Sequence, residues 1–216
     1  MSDHRRYTRR MAGKRSYGDS CGVARALDLV GERWALLVVR ELLLGPKRFT
    51  DLRAGLPQIG PDVLSQRLRE LEASGVVQRE KLPPPAASQV YALTERGRAL
   101  EPVVLELGRW GSQAPGAGDA PLGADAAMLA LKTMFRPGQG LRASYEVRLG
   151  EDRYAVRVDG DRLDIERGGA DGQDATIATE PGTLATVLWH GGAESDLHVA
   201  GDRASAKRFL DLFRRS

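Results

Sequence analysis

A helical segment between residues 60 and 75 constrains the fold of this chain more than any other feature. Three leucines recur there at i, i+4 and i+7, the spacing of a single helix face: Leu64, Leu68 and Leu71. Pro61 suits the first turn, where its missing N–H costs nothing, and Gly75 follows the last turn, where a left-handed residue ends many helices. The segment therefore predicts an amphipathic helix with one buried face and one polar face.

The polar face of this helix carries side chains suited to the edges of DNA bases. At about 100° per residue, Asp62, Gln66 and Arg69 lie opposite the leucines, with Ser65 on the flank. Glutamine and arginine pair bidentately with adenine and guanine in the major groove. Because an isolated helix with such a face is more often only solvated, the order of the neighbouring elements decides between the two interpretations.

That order favours a winged helix-turn-helix. Helical patterns cover residues 23–30 and 33–44, and a short helix starts at Phe49. The predicted apolar side of the second helix is Trp34, Leu37, Val38 and Leu42. After the polar-faced helix, residues 76–81 and 90–94 predict a two-stranded hairpin, and a further helix runs from Thr94 to about Trp110. In this architecture one helix enters the major groove while the hairpin contacts the backbone, so the segment predicts a mostly α DNA-binding domain.

Basic side chains flank the polar-faced helix in the sequence. Lys47 and Arg48 precede the short helix, for which Thr50 is the predicted N-cap, and Arg79 and Lys81 lie in the hairpin. These positions predict contacts with DNA phosphates. The full predicted DNA-binding set is Lys47, Arg48, Thr50, Asp62, Ser65, Gln66, Arg69, Arg79 and Lys81.

Residues 21–110 resemble the HxlR-type winged-helix regulators. The motifs that carry the resemblance are Gly45-Pro-Lys-Arg-Phe-Thr-Asp-Leu52, Leu64-Ser-Gln-Arg-Leu-Arg-Glu-Leu71 and Tyr91-x-Leu-Thr-x-x-Gly97. The resemblance implies a homodimer, held by the N-terminal segment and the helix after the hairpin, that binds a two-fold-symmetric site on double-stranded DNA. We expect a repressor that acts in the cytoplasm.

Cys21, just before the first predicted helix, is part of the same resemblance. Some members of that family sense oxidants or electrophiles with a cysteine at this place, which makes Cys21 a redox-sensing candidate. The alternative is a small residue packed where two copies meet. As the chain has a single cysteine, an internal disulfide is excluded.

Charge is shared unevenly along the chain. Residues 1–113 hold 19 Lys and Arg against 13 Asp and Glu, so the basic part of the chain is the part with the DNA-binding pattern. Residues 1–15 predict a disordered basic arm, which either lies along DNA or only solubilises the protein.

No apolar stretch reaches the roughly 18 residues that a membrane-spanning helix needs.

The composition changes at a Gly- and Pro-rich stretch, residues 113–123, which predicts a linker. It separates a winged-helix and dimerisation domain over residues 16–112 from a second domain over residues 124–216. Alternating apolar residues predict five short strands in the second domain, with helices before, between and after them. We expect an α+β fold in which helices cover an antiparallel sheet.

The second domain resembles the sterol-carrier-protein-type lipid-binding fold. The matching runs are Asp174-Ala-Thr-Ile-Ala-Thr179, Leu188-Trp-His-Gly191 and Leu197-His-Val-Ala-Gly-Asp202. The resemblance implies a pocket for an apolar small-molecule effector, lined by residues among Met128, Leu131, Phe135, Tyr145, Val156, Trp189 and Phe209. The alternative is that these residues pack a core without a ligand. An alternative function is a lipid or sterol carrier with a non-functional winged helix.

Groups suited to catalysis are few. The three histidines lie at no metal-ligand spacing, and neither a phosphate-binding glycine loop nor a Gly-x-Ser-x-Gly elbow occurs. The sequence therefore predicts a protein that is not an enzyme and that holds no metal or cofactor.

Overall fold

The computed structural model describes residues 16–83, 88–114, 121–136 and 140–214. The chain divides into two compact units, Met1–Glu101 and Pro102–Ser216. The predicted basic arm and the middle of the predicted linker, residues 115–120, lie outside the described residues. The boundaries predicted for the arm, the linker and the two domains stay predictions.

The first unit contains, among its described residues, a series of helices followed by a hairpin. The helices are α1 (Gly22–Val30), α2 (Ala35–Leu42), α3 (Phe49–Gly55), α4 (Pro61–Ala73) and α5 (Glu95–Arg98). Strands β1 (Val77–Lys81) and β2 (Gln89–Leu93) form the hairpin between α4 and α5, and they pair antiparallel from Val77 opposite Leu93. The predicted order of helices and hairpin is confirmed.

Helix α2 begins later than its sequence pattern predicts. Trp34 has a φ of 76°, a left-handed conformation that helix interiors do not use, so the helix starts at Ala35. Val38 and Leu42 are buried as predicted, whereas Leu37 is 38% exposed. The predicted apolar side of this helix is therefore wrong at Leu37.

The helix predicted from Thr94 to about Trp110 is divided in two. α5 begins after Thr94, whose Oγ1 accepts a hydrogen bond from the Gly97 N–H, and α6 spans Glu101–Gly111. Pro102 has no N–H, so the ladder of hydrogen bonds cannot run through this position. From Pro102 onward, α6 belongs to the second unit.

The second unit is a five-stranded sheet with helices. After α6, its elements in the described ranges are α7 (Ala124–Met134), β3 (Arg142–Leu149), β4 (Asp152–Asp159), β5 (Arg162–Arg167), β6 (Ala175–Thr179), α8 (Pro181–Trp189), a short 3₁₀ helix (Glu194–Asp196), β7 (His198–Gly201) and α9 (Arg203–Asp211). The strand order in the sheet is β5-β4-β3-β6-β7. The predicted α+β class is correct.

The sheet is mixed, which corrects the prediction of an antiparallel sheet. β3, β4 and β5 form an antiparallel meander with turns at Gly150 and Gly160, both of which have positive φ. β6 does not extend this meander but pairs with the other side of β3 in parallel, with Ala175 beside Tyr145. An alternating pattern shows which side chains are buried, but it does not specify a strand's neighbour or direction.

One face of the sheet forms the core of the second unit. Tyr145 of β3 and Tyr154 of β4 are fully buried, and the Tyr145 ring lies 4.5 Å from that of Phe209 in α9. Arg153 and Arg157 of β4 alternate with the buried positions and are exposed on the other face. The helices therefore cover the tyrosine face.

A buried polar cluster ties α7 to the sheet. Asp125 accepts a hydrogen bond from the Tyr154 hydroxyl at 2.5 Å and another from the Arg167 guanidinium. Burial, together with the adjacent Asp125 carboxylate, raises the pKa of the Tyr154 hydroxyl above its ordinary value. Tyr154 therefore stays protonated and continues to donate to Asp125. The members of this cluster are far apart in the sequence, so no local pattern predicts it.

Candidate nucleic-acid interface

Helix α4 has the two faces that its leucine spacing predicts. Its leucines are at most 1% exposed: Leu64, Leu68 and Leu71. On the opposite side Asp62, Gln66 and Arg69 are exposed, and Ser65 is half-buried at their flank. We refer to these four residues as the polar strip. They project from a helix whose other face is held in the core of the first unit.

Both ends of α4 are fixed as predicted. Pro61 occupies the first turn, where a missing N–H costs nothing. Gly75 has a φ of 69°, and the N–H of Val76 donates back to the Leu71 carbonyl at 2.9 Å. The chain therefore leaves α4 in a defined direction and enters β1 directly.

Hydrogen bonds along the helix orient two side chains of the polar strip. Nε2 of Gln66 donates to Oε1 of Glu70 at 3.0 Å, and Nε of Arg69 donates to the Ser65 carbonyl at 3.2 Å. Glu70 also accepts a hydrogen bond from the buried Arg67. Sequence reasoning missed Arg67 and Glu70 because a charged residue at a helical position gives no signal of burial.

Arg48 and Thr50 lie at the start of α3, and both are exposed. The N-cap is Arg48, whose N–H donates to Oδ2 of Asp51 at 3.1 Å. The prediction that Thr50 caps this helix was therefore wrong, since Thr50 lies inside the first turn and Asp51 provides the accepting side chain.

Lys47 does not lie with the exposed basic residues. It is buried, and its Nζ lies 2.5 Å from Oε2 of the buried Glu41. Its backbone N–H and carbonyl both bond to Tyr91 of β2, at 2.9 and 2.8 Å. Lys47 therefore joins α2 to the hairpin, and its ammonium group is in the interior of the first unit.

The hairpin carries the last two predicted phosphate contacts. Arg79 and Lys81 are both exposed on β1. The Arg79 guanidinium lies 3.2 Å from Oε2 of Glu72 in α4 and 5.5 Å from the centroid of the Tyr91 ring. Arg79 thus connects the hairpin to the end of α4.

Cys21 is exposed and is the N-cap residue of α1. Its N–H donates to Oδ1 of Asp19 at 2.8 Å. The exposed thiol has the access to solvent that a redox sensor requires.

The seven residues predicted to line an apolar pocket differ in burial. Five are at most 1% exposed, as packed core residues are: Met128, Leu131, Tyr145, Val156 and Phe209. Phe135 and Trp189 are half-buried, and Nε1 of Trp189 donates to the Phe213 carbonyl at 3.2 Å. Burial raises the pKa of the Tyr145 hydroxyl, which bonds to Ser205 at 2.9 Å. This packing agrees with the alternative of a core without a ligand.

Two of the three histidines lie in the part of the chain that the structure describes. His190 and His198 are exposed, and no group of three or more His, Cys, Asp or Glu in this part of the chain is arranged to hold a metal ion. None of the described helices combines the length and the apolar character needed to traverse a bilayer.

Comparison with known proteins gives matches over the first part of the chain. The profile of the HxlR-like helix-turn-helix family matches residues 29–117. Similar proteins of Bacillus subtilis (strain 168) include the HTH-type transcriptional regulators YvaP and YodB. YvaP is 40% identical over 89 residues, which are 82% of YvaP and 41% of this chain. YodB is 40% identical over 88 residues, which are 79% of YodB and 41% of this chain.

Among solved structures, that of the redox regulator HypR in its oxidized form is 38% identical to this chain. Its TM-score is 0.42, and the match covers 45% of this chain and 100% of HypR. The family match contains the whole of α4 and the hairpin, and the residues after 117 lie outside it.

Proposed function

Because the chain belongs to the HxlR-like helix-turn-helix family, we propose that it is a transcriptional regulator that binds a specific DNA sequence. In this proposal α4 enters the major groove, where Gln66 and Arg69 contact base edges. Asp62 and Ser65 lie beside them on the same helix. Relatives named as HTH-type transcriptional regulators support the proposal.

The polar strip is the observation that carries this proposal. A helix buried on its leucine face and exposed at Gln66 and Arg69 can present both side chains to a duplex without rearranging the core. The basic residues Arg48, Arg79 and Lys81 are exposed in the same unit and are assigned to phosphates. Lys47 is left out of this set because its ammonium group is paired with Glu41 in the interior.

The proposal includes a homodimer. Several large apolar side chains among the described residues are exposed to solvent in the single chain. The first unit exposes Tyr17 (66%), Val23 (67%) and Leu27 (41%), and α6 exposes Val103 (52%), Leu107 (47%) and Trp110 (73%). Burial of such residues between two copies would be favourable by about 25 cal/mol per Å². A dimer presents two α4 helices to a two-fold-symmetric site, at which binding would repress transcription.

The second unit and Cys21 have assignments that rest on resemblance alone. An apolar effector is proposed to bind the second unit, but it would have to enter a core in which Met128, Leu131 and Phe209 are fully packed. A lipid or sterol carrier, the alternative function, would have to place its ligand in the same packed core. Cys21 remains the redox-sensing candidate.

Selection from a random library of DNA duplexes tests the proposed function. The full chain should enrich a two-fold-symmetric sequence whose half-sites lie about one helical turn, roughly 10 base pairs, apart. Recovery of no preferred sequence, with binding that depends only on salt, would contradict sequence-specific regulation. The Arg153→Ala variant serves as the control, because Arg153 is an exposed arginine on β4 of the second unit.

A further inference from the structure

Glu70 connects the exposed Gln66 to a buried cation. One carboxylate oxygen, Oε1, accepts a hydrogen bond from Nε2 of Gln66 at 3.0 Å, and the other, Oε2, accepts one from the Arg67 guanidinium. The Glu70 side chain is 29% exposed and that of Arg67 is 8% exposed. Glu70 therefore has one oxygen directed to the polar strip and one directed to the interior.

Arg67 anchors Glu70 in this position. The Nε of Arg67 is buried and has no hydrogen-bond partner among the described residues, and Glu32 is 3.7 Å from the guanidinium. A buried guanidinium needs a close opposite charge, since leaving it without one is costly. Glu70 is the closer of the two carboxylates, so its position is fixed more firmly than that of an ordinary surface glutamate.

A fixed carboxylate determines which end of the Gln66 amide faces it. The NH₂ group can donate a hydrogen bond to a carboxylate. The amide oxygen cannot, because it and the carboxylate oxygen are both acceptors. With one N–H engaged, Gln66 retains one N–H donor and one carbonyl acceptor. Adenine presents the complementary pair in the major groove, an acceptor at N7 and a donor at N6.

We propose that Glu70 is a positioning residue that orients the Gln66 amide for adenine. The inference rests on the proposed function, in which Gln66 contacts a base edge. Since an oriented side chain loses less freedom on binding, Glu70 should strengthen the preference for adenine by about threefold to tenfold. If Glu70 acted only through its negative charge, removing that charge would raise the affinity for every duplex to the same degree, because attraction to phosphates does not depend on sequence.

Base preference therefore distinguishes positioning from charge. Selection from a random duplex library identifies the sequence that the wild-type chain prefers, and the base pair at which Gln66→Ala loses its preference identifies the Gln66 contact. Affinities for the selected duplex and for its three substitutions at that base pair are then measured for Glu70→Gln and Glu70→Asp. Aspartate keeps the charge near Arg67 but is too short to hold Gln66. Thermal melts confirm that each variant folds. If only one of the two variants folds, that variant alone is sufficient for the test.

We expect both Glu70 variants to lose the adenine preference about threefold to tenfold. In the Gln66→Ala background the same changes should have no further effect on that preference. A uniform rise in affinity with the adenine preference intact would overturn the role of Glu70 while leaving the proposed function standing. If Gln66→Ala changes no base preference at all, the contact of Gln66 with a base is itself wrong, and the inference falls with it.

Discussion

Replacing Gly55 with alanine would disturb the junction between α2 and α3. A Cβ atom on Gly55 would lie 2.1 Å from Oε2 of Glu41. That oxygen is 2.5 Å from Nζ of Lys47, and the other oxygen of Glu41 accepts a hydrogen bond from Arg40 at 2.7 Å. The buried carboxylate cannot move away from alanine without weakening its contact with Lys47.

The expected cost follows from these distances. Ordinary contact begins at 3.4 Å, so Oε2 has to move about 1.3 Å or α3 has to shift by a similar amount. Overpacking a core costs about 1–3 kcal/mol, and breaking a buried ion pair costs about 3–5 kcal/mol. Since Arg40 still compensates the Glu41 charge, we expect Gly55→Ala to lower the free energy of unfolding of the first unit by about 2–4 kcal/mol.

Urea denaturation followed by the fluorescence of Trp34 measures this change. The other two of the chain's three tryptophans are replaced by phenylalanine, so the signal comes from the first unit alone. Gly22→Ala at the start of α1 is the matched control, because a Cβ atom there meets nothing within 4 Å. A Gly55→Ala protein as stable as the wild type would refute the assignment of Glu41 as a fixed element of the core.

Three further measurements test other parts of the structure. Because burial raises the pKa of both Tyr145 and Tyr154, these two tyrosines should ionise at a higher pH in the folded protein than in urea, as an alkaline absorbance titration measures. Above the unfolded tyrosine pKa of about 10 the unfolded state releases protons that the folded state retains, so stability should fall with rising pH. Titration curves that coincide for the folded and the unfolded protein would contradict this. Trp110→Asp should shift the chain from dimer to monomer in light scattering, whereas Arg153→Ala should not; a Trp110→Asp dimer of unchanged affinity would remove α6 from the interface. Cys21 should react with a maleimide in the folded protein, and resistance to the reagent would end its candidacy as a sensor.

Much of the first unit follows from the sequence, since each of its elements has a local signal. The leucine spacing of α4, its first-turn proline and the positive φ of Gly75 are properties of neighbouring residues, and all three were predicted correctly. The start of α2 was not, because the left-handed conformation of Trp34 has no signature in a residue type that rarely adopts it.

Two of the errors arise from tertiary contact between elements that are distant in the chain. Lys47 has the sequence context of a phosphate contact, but Glu41 and the backbone of Tyr91 hold it in the interior. The parallel pairing of β6 with β3 likewise depends on the route of the chain and not on the alternation of its residues. Glu70, by contrast, lies within four residues of Gln66 and Arg67 on α4, and it was missed because their spacing does not show that Arg67 is buried.

The most direct test of the account compares two affinities, one for the duplex selected from the random library and one for a shuffled duplex of equal length. Replacing both Gln66 and Arg69 with alanine should reduce the ratio of the two affinities by about tenfold or more, since each bidentate pair contributes about 1–3 kcal/mol of discrimination. The Arg153→Ala protein should keep the wild-type ratio. An unchanged ratio in the Gln66→Ala, Arg69→Ala protein would show that the polar strip of α4 does not read DNA.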